Sequence, residues 1–456
     1  MALPIRVLCT GPKGVEYMKE FKLAVLGGGS SYAPELIDGI AKRYLNGEFH
    51  AREIVMVDVP EGRERMETVA SFTRRMLAKQ GVPCEIKTTL DRREAFDGAS
   101  FVISQIRVGG MLARQRDEHI PLKHGVIGQE TTGAGGFANA LRTIPVSLEF
   151  AREMKDACPE AWLLNFSNPA GLVTEALTRY ADIKTFGLCN VPIGIKMGIA
   201  KALGVEPSRV STDVSGLNHL SFVTGIWVDG KDVTGAIFDS PLFEHYLKVE
   251  KYGPEMGRFL RRLRLIPASY LFYHWCAERA LKEQLADISG EKGSRADEVM
   301  RIEKDLFEIY AKPENDSLPE ILKKRGGAYY SDVALSCISA IVNNKPAVEA
   351  LNVVNRGAVP GIKADSVVEV SCMVDGRGPH PLAQKPLPQE VLGLVQQVKA
   401  YENLAVQAAV TGDIETAFFA LLNHPLLPGA DTVRLVLRDI LEANKDHLPQ
   451  FAGKSL

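Results

Sequence analysis

Cys189 and His219 are the two side chains of this sequence whose types suit a metal ion. A thiolate and a neutral imidazole are ligands for soft or borderline divalent ions. The pair is a weak signal by itself, because a buried cysteine also serves as a core thiol and a histidine as a satisfied core hydrogen-bonder. Upstream, the run Gly27-Gly28-Gly29-Ser30-Ser31-Tyr32 follows apolar Leu23-Ala24-Val25-Leu26. Glycines between a strand and a helix permit a tight turn and let the backbone approach a pyrophosphate, which then sits on the helix N-terminus. Ser31 and Tyr32 replace the usual third glycine, so the run alone also fits a tight structural βα turn. Asp58 closes the next apolar run. A carboxylate there binds a ribose 2′-hydroxyl and disfavours a 2′-phosphate, and since no arginine immediately follows it, NAD is favoured over NADP. Asp58 also fits a helix N-cap ahead of Glu61.

The elements that must position these groups alternate. Residues 22–26, 54–59, 84–88, 101–107 and 162–166 read as strands, with helices over 34–45 and 61–81. Such alternation implies βαβ units and a parallel sheet, whose C-terminal strand ends are where open α/β sheets place ligands. After Pro192 the pattern changes. Residues 214–229 read as strand-like before a turn at Asp229-Gly230, and 243–264, 296–311, 333–343 and 390–412 as helices. Residues 312–318 read as a surface loop, and 367–374 as a strand ahead of the turn Asp375-Gly376-Arg377-Gly378-Pro379. The change of character places a domain switch near residues 190–195.

Composition narrows the classes. A formal net charge of −2 over 456 residues gives no reason to expect nucleic acid or an anionic membrane as partner. No apolar run reaches the roughly 20 residues that span a bilayer. The seven cysteines are odd in number, scattered and without a CxxC pair, the usage of a reducing compartment. Residues 1–9 are mildly apolar but lead to no clear cleavage site. The expected location is the cytoplasm.

Several further segments carry a resemblance. Arg107-Val108-Gly109, Asp117-Glu118 with Ile120-Pro121-Leu122, Gly128-Gln129-Glu130-Thr131, Asn165-Phe166-Ser167-Asn168-Pro169, Cys189-Asn190-Val191-Pro192 and Gly216-Leu217-Asn218-His219, together with the glycine run, resemble glycoside hydrolase family 4 from about residue 21 to the C-terminus. Cys189-Asn190-Val191-Pro192, Gly326-Gly327-Ala328-Tyr329-Tyr330-Ser331 and Val368-Glu369-Val370-Ser371-Cys372 with His380-Pro381-Leu382 resemble the family's 6-phospho-β-glucosidase branch most closely. The implied fold is α/β: an NAD-binding, Rossmann-like parallel sheet over residues 21–192, then a C-terminal α+β domain over 193–456 that completes the metal and sugar site. Residues 1–20 match nothing in the family and are expected to be an N-terminal extension, or to precede a start at Met18.

The resemblance implies hydrolysis of 6-phospho-β-glucosides by redox-assisted elimination instead of the usual two-carboxylate mechanism. The sugar is oxidised at C3, a base removes the C2 proton, the glycosidic oxygen leaves C1, water adds, and C3 is reduced again. By resemblance, NAD is held by Gly27, Gly28, Gly29, Ser30, Ser31 and Asp58, and the metal, usually manganese, by Cys189 and His219. Ligand softness alone would suggest zinc or iron. Tyr270 is the implied base, with Tyr273 its nearest competitor, and Glu130 the group that increases its basicity. Arg114 and Arg295 match positions that hold the phosphorylated substrate, where guanidinium pairs its donors with phosphate oxygens. Asn168 matches a sugar-hydroxyl contact. Asn190 stands where the α-specific branch has an aspartate, and an amide is not a proton source. This favours the β reading and leaves water or another group to protonate the leaving oxygen.

The resemblance implies a phosphorylated sugar as substrate and a homo-oligomer, dimer or tetramer, as the working form. The alternatives are an α-specific or unphosphorylated glycosidase of the same family, an NAD-dependent dehydrogenase, and a non-catalytic nucleotide-binding protein.

Overall fold

A computed structural model of the chain describes residues 18–326 and 329–454. The extension expected over residues 1–20 lies outside the described residues up to position 17, as do Gly327 and Ala328. Six strands form a parallel sheet: β1 (Glu20–Leu26), β2 (His50–Val57), β3 (Glu85–Thr89), β4 (Phe101–Ser104), β5 (Trp162–Asn165) and β6 (Lys184–Gly187). Their order is β3-β2-β1-β4-β5-β6, the doubly wound arrangement of dinucleotide-binding folds. Leu23, Ala24, Val25, Val102 and Ile103 are fully buried, as strands covered by helices on both faces require. Leu26 lies opposite Val57 and Ser104, Ser104 opposite Asn165, and Asn165 opposite Gly187. The C-terminal ends of five strands therefore share one edge. The chain reverses strand order between β1 and β4, which opens a crevice there.

The sheet does not stop at β6. Gly187 pairs antiparallel with Asn352 of a strand spanning Ala347–Val354, and that strand pairs along its length with one spanning Val367–Asp375. Numbered in chain order, the remaining strands are β7 (Val210–Leu217), β8 (Leu220–Val228), β9 (Lys231–Asp232), β10 (Ile266–Pro267), β11 (Ala347–Val354), β12 (Val367–Asp375) and β13 (Gly378–Pro381). The full order is β10-β8-β7-β12-β11-β6-β5-β4-β1-β2-β3, with β13 on β12 and β9 on β8. One continuous sheet thus joins a parallel half to an antiparallel half. Helix Asn190–Leu203 follows β6, so the change expected near residue 192 falls inside a helix, and the first antiparallel strand starts at Val210.

Two readings of the sequence change here. The strand-like stretch 214–229 is a hairpin that reverses at Asn218-His219, where His219 adopts φ 63°, and the turn at Asp229-Gly230 follows as a second reversal. An apolar run with a short polar interruption hides a two-residue turn when neither turn residue is glycine. The helix read over 243–264 is two helices, Pro241–Val249 and Pro254–Leu263. Pro254 lacks the N–H that a continuing helix needs but suits a new first turn. No helix among the described residues is long and apolar enough to cross a membrane.

Candidate active site

The glycine turn lies flat against the sheet edge. The N–H groups of Gly27 and Gly28 both donate to the Val57 carbonyl, at 2.9 and 2.8 Å. The Gly29 N–H donates to Asp58 Oδ2 at 2.7 Å, and the Val59 N–H to Asp58 Oδ1 at 2.9 Å. A Cβ on Gly28 would sit 2.7 Å from the Met56 Cβ, and one on Gly29 2.8 Å from Asp58 Oδ2. Gly27 has φ 81° and lies against the Gln105 carbonyl. The turn thus exposes bare backbone to a cleft of about 1900 Å³, whose lining includes Gly27, Gly29, Ser30 and Asp58 together with Arg107, Asn168, Arg325 and Tyr330. These features fit a dinucleotide: no side chain blocks the turn, a helix begins at Ala33, and Asp58 keeps lone pairs for a ribose hydroxyl.

Across the crevice, Glu130 is wedged between two arginines. Arg107 Nη1 lies 2.5 Å from Glu130 Oε2, and Arg114 Nη2 3.1 Å from Oε1. Burial pushes the Glu130 carboxyl up, but Arg107, Arg114 and Arg325 together outweigh it and hold it down to about 2. Tyr270 is stacked on His219, with ring centroids 4.0 Å apart and planes within 8°. Burial raises the Tyr270 phenol above its ordinary value, and the nearby Tyr273, Glu130 and Cys189 add to this against a hydrogen bond with Thr131. Arg114 is close enough to Tyr270 to feel its charge. Burial lowers His219 to about 4, so its imidazole is neutral, and its Nδ1 is buried with no hydrogen-bond partner.

Cys189 caps helix Asn190–Leu203, its sulfur accepting the Val191 N–H at 3.5 Å. Burial raises its thiol, and Glu369 beside it acts in the same direction. Among the described residues no group of three or more His, Cys, Asp or Glu could hold a metal ion. Cys189 and the unpartnered His219 therefore fit an open site, with two protein ligands and the other positions left to water and substrate oxygens, and do not fit a closed structural one. Asn168 Oδ1 is buried and unpartnered too, an acceptor free for a hydroxyl.

Glu130, Cys189, His219 and Tyr270 are not part of the cleft lining, and several other expected residues are outside it too. Ser31 does not line the cleft; its buried hydroxyl donates to Glu303 Oε1 at 2.9 Å. Arg114 is 6% exposed and pairs through Nε with Glu118 and through Nη2 with Glu130, so it supports Glu130, and it is not part of the cleft lining. Arg295 is not part of the cleft lining either, although its Nη2 lies close to Gly326, which is. It pairs with Glu298 one turn along its own helix at 2.7 Å, and donates to the Lys324 and Arg325 carbonyls, where a short helix ends and attracts a cation. Arg325 is the arginine of that segment that faces the cleft. Asn190 opens its helix, half-buried and outside the cleft wall.

Sequence reading assigned no role to Arg107, Arg325, Glu303 or Glu369. Glu369, fully buried on β12, accepts from Ser221 Oγ at 2.6 Å and from the side-chain amides of Asn218 and Asn352 at 3.0 and 3.2 Å. A charged residue in the apolar run Val367-Val368-Glu369-Val370 was the signal for it. Arg107 follows a strand end, where ligands gather. Arg325 looks like part of a solvated Lys-Lys-Arg run, and nothing local marks Glu303.

Fold and cleft define an enzyme-like nucleotide-binding protein with a second, charged corner beside the nucleotide turn. The models of the Family 4 glycosyl hydrolase and of its C-terminal domain match residues 22–205 and 214–427, and the chain belongs to that family. A probable 6-phospho-beta-glucosidase of Bacillus subtilis is 47% identical over 96% of this chain and 99% of its own. A 6-phospho-beta-glucosidase of Escherichia coli is 40% identical over 95% and 97%. The Thermotoga maritima 6-phospho-beta-glucosidase, solved with manganese, NAD⁺ and glucose-6-phosphate, superposes with a TM-score of 0.84 at 34% identity, over 94% of this chain and 99% of that one.

Proposed function

We propose that this protein hydrolyses 6-phospho-β-glucosides, phosphorylated β-linked disaccharides among them, to glucose 6-phosphate and an aglycone, with NAD and a divalent metal, Mn²⁺ in this family, as cofactors. The observation that carries the reading is the pairing of Tyr270 with neutral His219 beside a carboxylate held ionised by arginines. Similarity to the phospho-β-glucosidases supports the substrate. In the cleft, NAD supplies reversible oxidation at the sugar C3, and the metal polarises the adjoining sugar oxygens.

The chain's own residues do the rest. Gly27, Gly28, Gly29 and Ser30 receive the pyrophosphate, and Asp58 the ribose. Cys189 and His219 hold the metal. Tyr270 takes the proton from C2. Its phenolate is a strong base once formed, because burial and Glu130 both raise its proton affinity. The Thr131 hydrogen bond acts against that rise, and a cation held by Cys189 and His219 would act in the same direction. Arg107 and Arg114 keep Glu130 charged throughout. Asn168 accepts a sugar hydroxyl, and Arg325 faces the phosphate. Asn190 donates no acid proton, so the leaving oxygen takes its proton from water or another group. Family resemblance supports a homo-oligomer, dimer or tetramer, and the scattered cysteines support a cytoplasmic setting.

The test is hydrolysis of p-nitrophenyl 6-phospho-β-glucoside, its α-anomer and the unphosphorylated β-glucoside by reduced protein, with NAD⁺ and Mn²⁺ each present or omitted. The expected result is turnover of the first alone, needing both additions, without net NADH. Turnover of either other substrate in its place overturns the specificity, and net NADH release points to a dehydrogenase.

A further inference from the structure

Glu303 makes contacts that neither nucleotide binding nor proton removal uses. It is 5% exposed on helix Arg295–Ala311, which belongs to the C-terminal half yet packs on helix Arg63–Gln80 of the nucleotide half. Its Oε1 accepts from Ser31 Oγ at 2.9 Å and from Arg325 Nε at 3.2 Å. Its Oε2 accepts from Arg65 Nη2 at 2.9 Å, and Arg65 lies over the Phe307 ring at 4.1 Å. Arg325 Nε also donates to Ser31 Oγ at 3.1 Å, and the Tyr310 hydroxyl donates to the Ser31 carbonyl at 2.9 Å. Burial raises the Glu303 carboxyl, but Arg325 and Arg65 outweigh it, so the group stays ionised.

One carboxylate thus ties together the nucleotide turn, through Ser31, and Arg325, the arginine that reaches the cleft wall beside it. Arg325 spends Nε and one Nη2 donor on this hub, which leaves the other donors of its guanidinium for the cleft. Its charge already reaches Glu130. A ligand that orders the turn fixes Ser31, and through Glu303 it fixes the direction of Arg325. A ligand that engages Arg325 fixes the turn by the same bonds, since coupling between two sites is reciprocal.

We propose that Glu303 is a positioning residue that makes binding of the nucleotide and binding of the phosphorylated sugar cooperative, by holding Ser31 and Arg325 on one carboxylate. The inference rests on the functional reading above for the identity of the two ligands.

The test is the NAD⁺ dissociation constant of the full-length protein with Mn²⁺, measured by calorimetry with and without saturating glucose 6-phosphate, for wild type, Glu303→Gln and Ser31→Ala. In wild type the sugar phosphate tightens NAD⁺ by at least about fivefold, and in both variants the factor falls below about twofold. Ser31→Ala removes one hydroxyl and leaves Glu303 its arginines, so it decides the matter if Glu303→Gln does not fold. A structural role alone would lower thermal stability and leave the factor intact. Binding of both ligands by wild type with no coupling, or with coupling unchanged in Ser31→Ala, overturns the inference alone. Binding of neither ligand by wild type overturns the functional reading and the inference with it.

Discussion

The nucleotide turn and the charged corner across the crevice are built on opposite principles. The turn is local: Gly27, Gly28 and Gly29 are held by the end of β2, and their positions depend on having no side chain. The corner is assembled from distant segments carrying Arg107, Arg114, Glu130, His219 and Tyr270, and it depends on charges that neutralise one another out of water. A site made of backbone fails when atoms are added. A site made of buried charges fails when one is removed.

The variants that probe this contrast fall in order of size. Tyr270→Phe keeps the ring on His219 but removes the proposed base, so kcat on the phospho-β-glucoside should fall about 10²- to 10⁴-fold with little change in fold. Retained turnover would move the base to Tyr273. Glu130→Gln leaves the half-buried Arg107 without its carboxylate and Arg114 with Glu118 alone, and denaturant melts should show a loss of up to about 3 kcal/mol as well as lost activity. An equally stable variant would mean that the corner is not held by charge. Gly28→Ala drives a methyl into Met56 and the β2 backbone, with an expected loss of about 1–3 kcal/mol and weaker NAD⁺ binding in calorimetry.

The smallest effect is a pH dependence. Glu35, on the cleft wall, is raised from 4.5 to about 7, chiefly by burial and then by Asp332 and Asp38, against a hydrogen bond from Ser331. A carboxyl raised on folding contributes its stability fully below pH 4.5 and loses it as pH rises through about 7. Melts of wild type against Glu35→Gln should therefore converge near pH 5 and separate by pH 8, with the glutamine variant ahead by on the order of 2 kcal/mol. A constant difference across that range would contradict the shift.

The same contrast explains what the sequence disclosed. The glycine turn, Asp58 and the parallel strands are legible because each depends on neighbours within one βαβ unit. Cys189, His219, Tyr270 and Glu130 were reached through family motifs, since nothing in their own spacing reveals the stack of His219 on Tyr270 or the arginine clamp. Arg295 was expected at the substrate; it pairs with the neighbouring Glu298 and the helix end at Lys324 and Arg325, and the arginine that lines the cleft is Arg325. Which arginine of a charged run turns inward is decided by buried carboxylates elsewhere in the chain, here Glu303. The hairpin at Asn218-His219 was hidden because its left-handed residue is a histidine.

The central claim is that Tyr270 removes the sugar C2 proton. The direct measurement is the mass and proton spectrum of glucose 6-phosphate released from a phospho-β-glucoside in D₂O with NAD⁺ and Mn²⁺. Proton removal and return at C2 predicts one deuterium on that carbon, absent from recovered product in a Tyr270→Phe control. Product from wild type carrying no deuterium at C2 would contradict the account and point to direct displacement at C1.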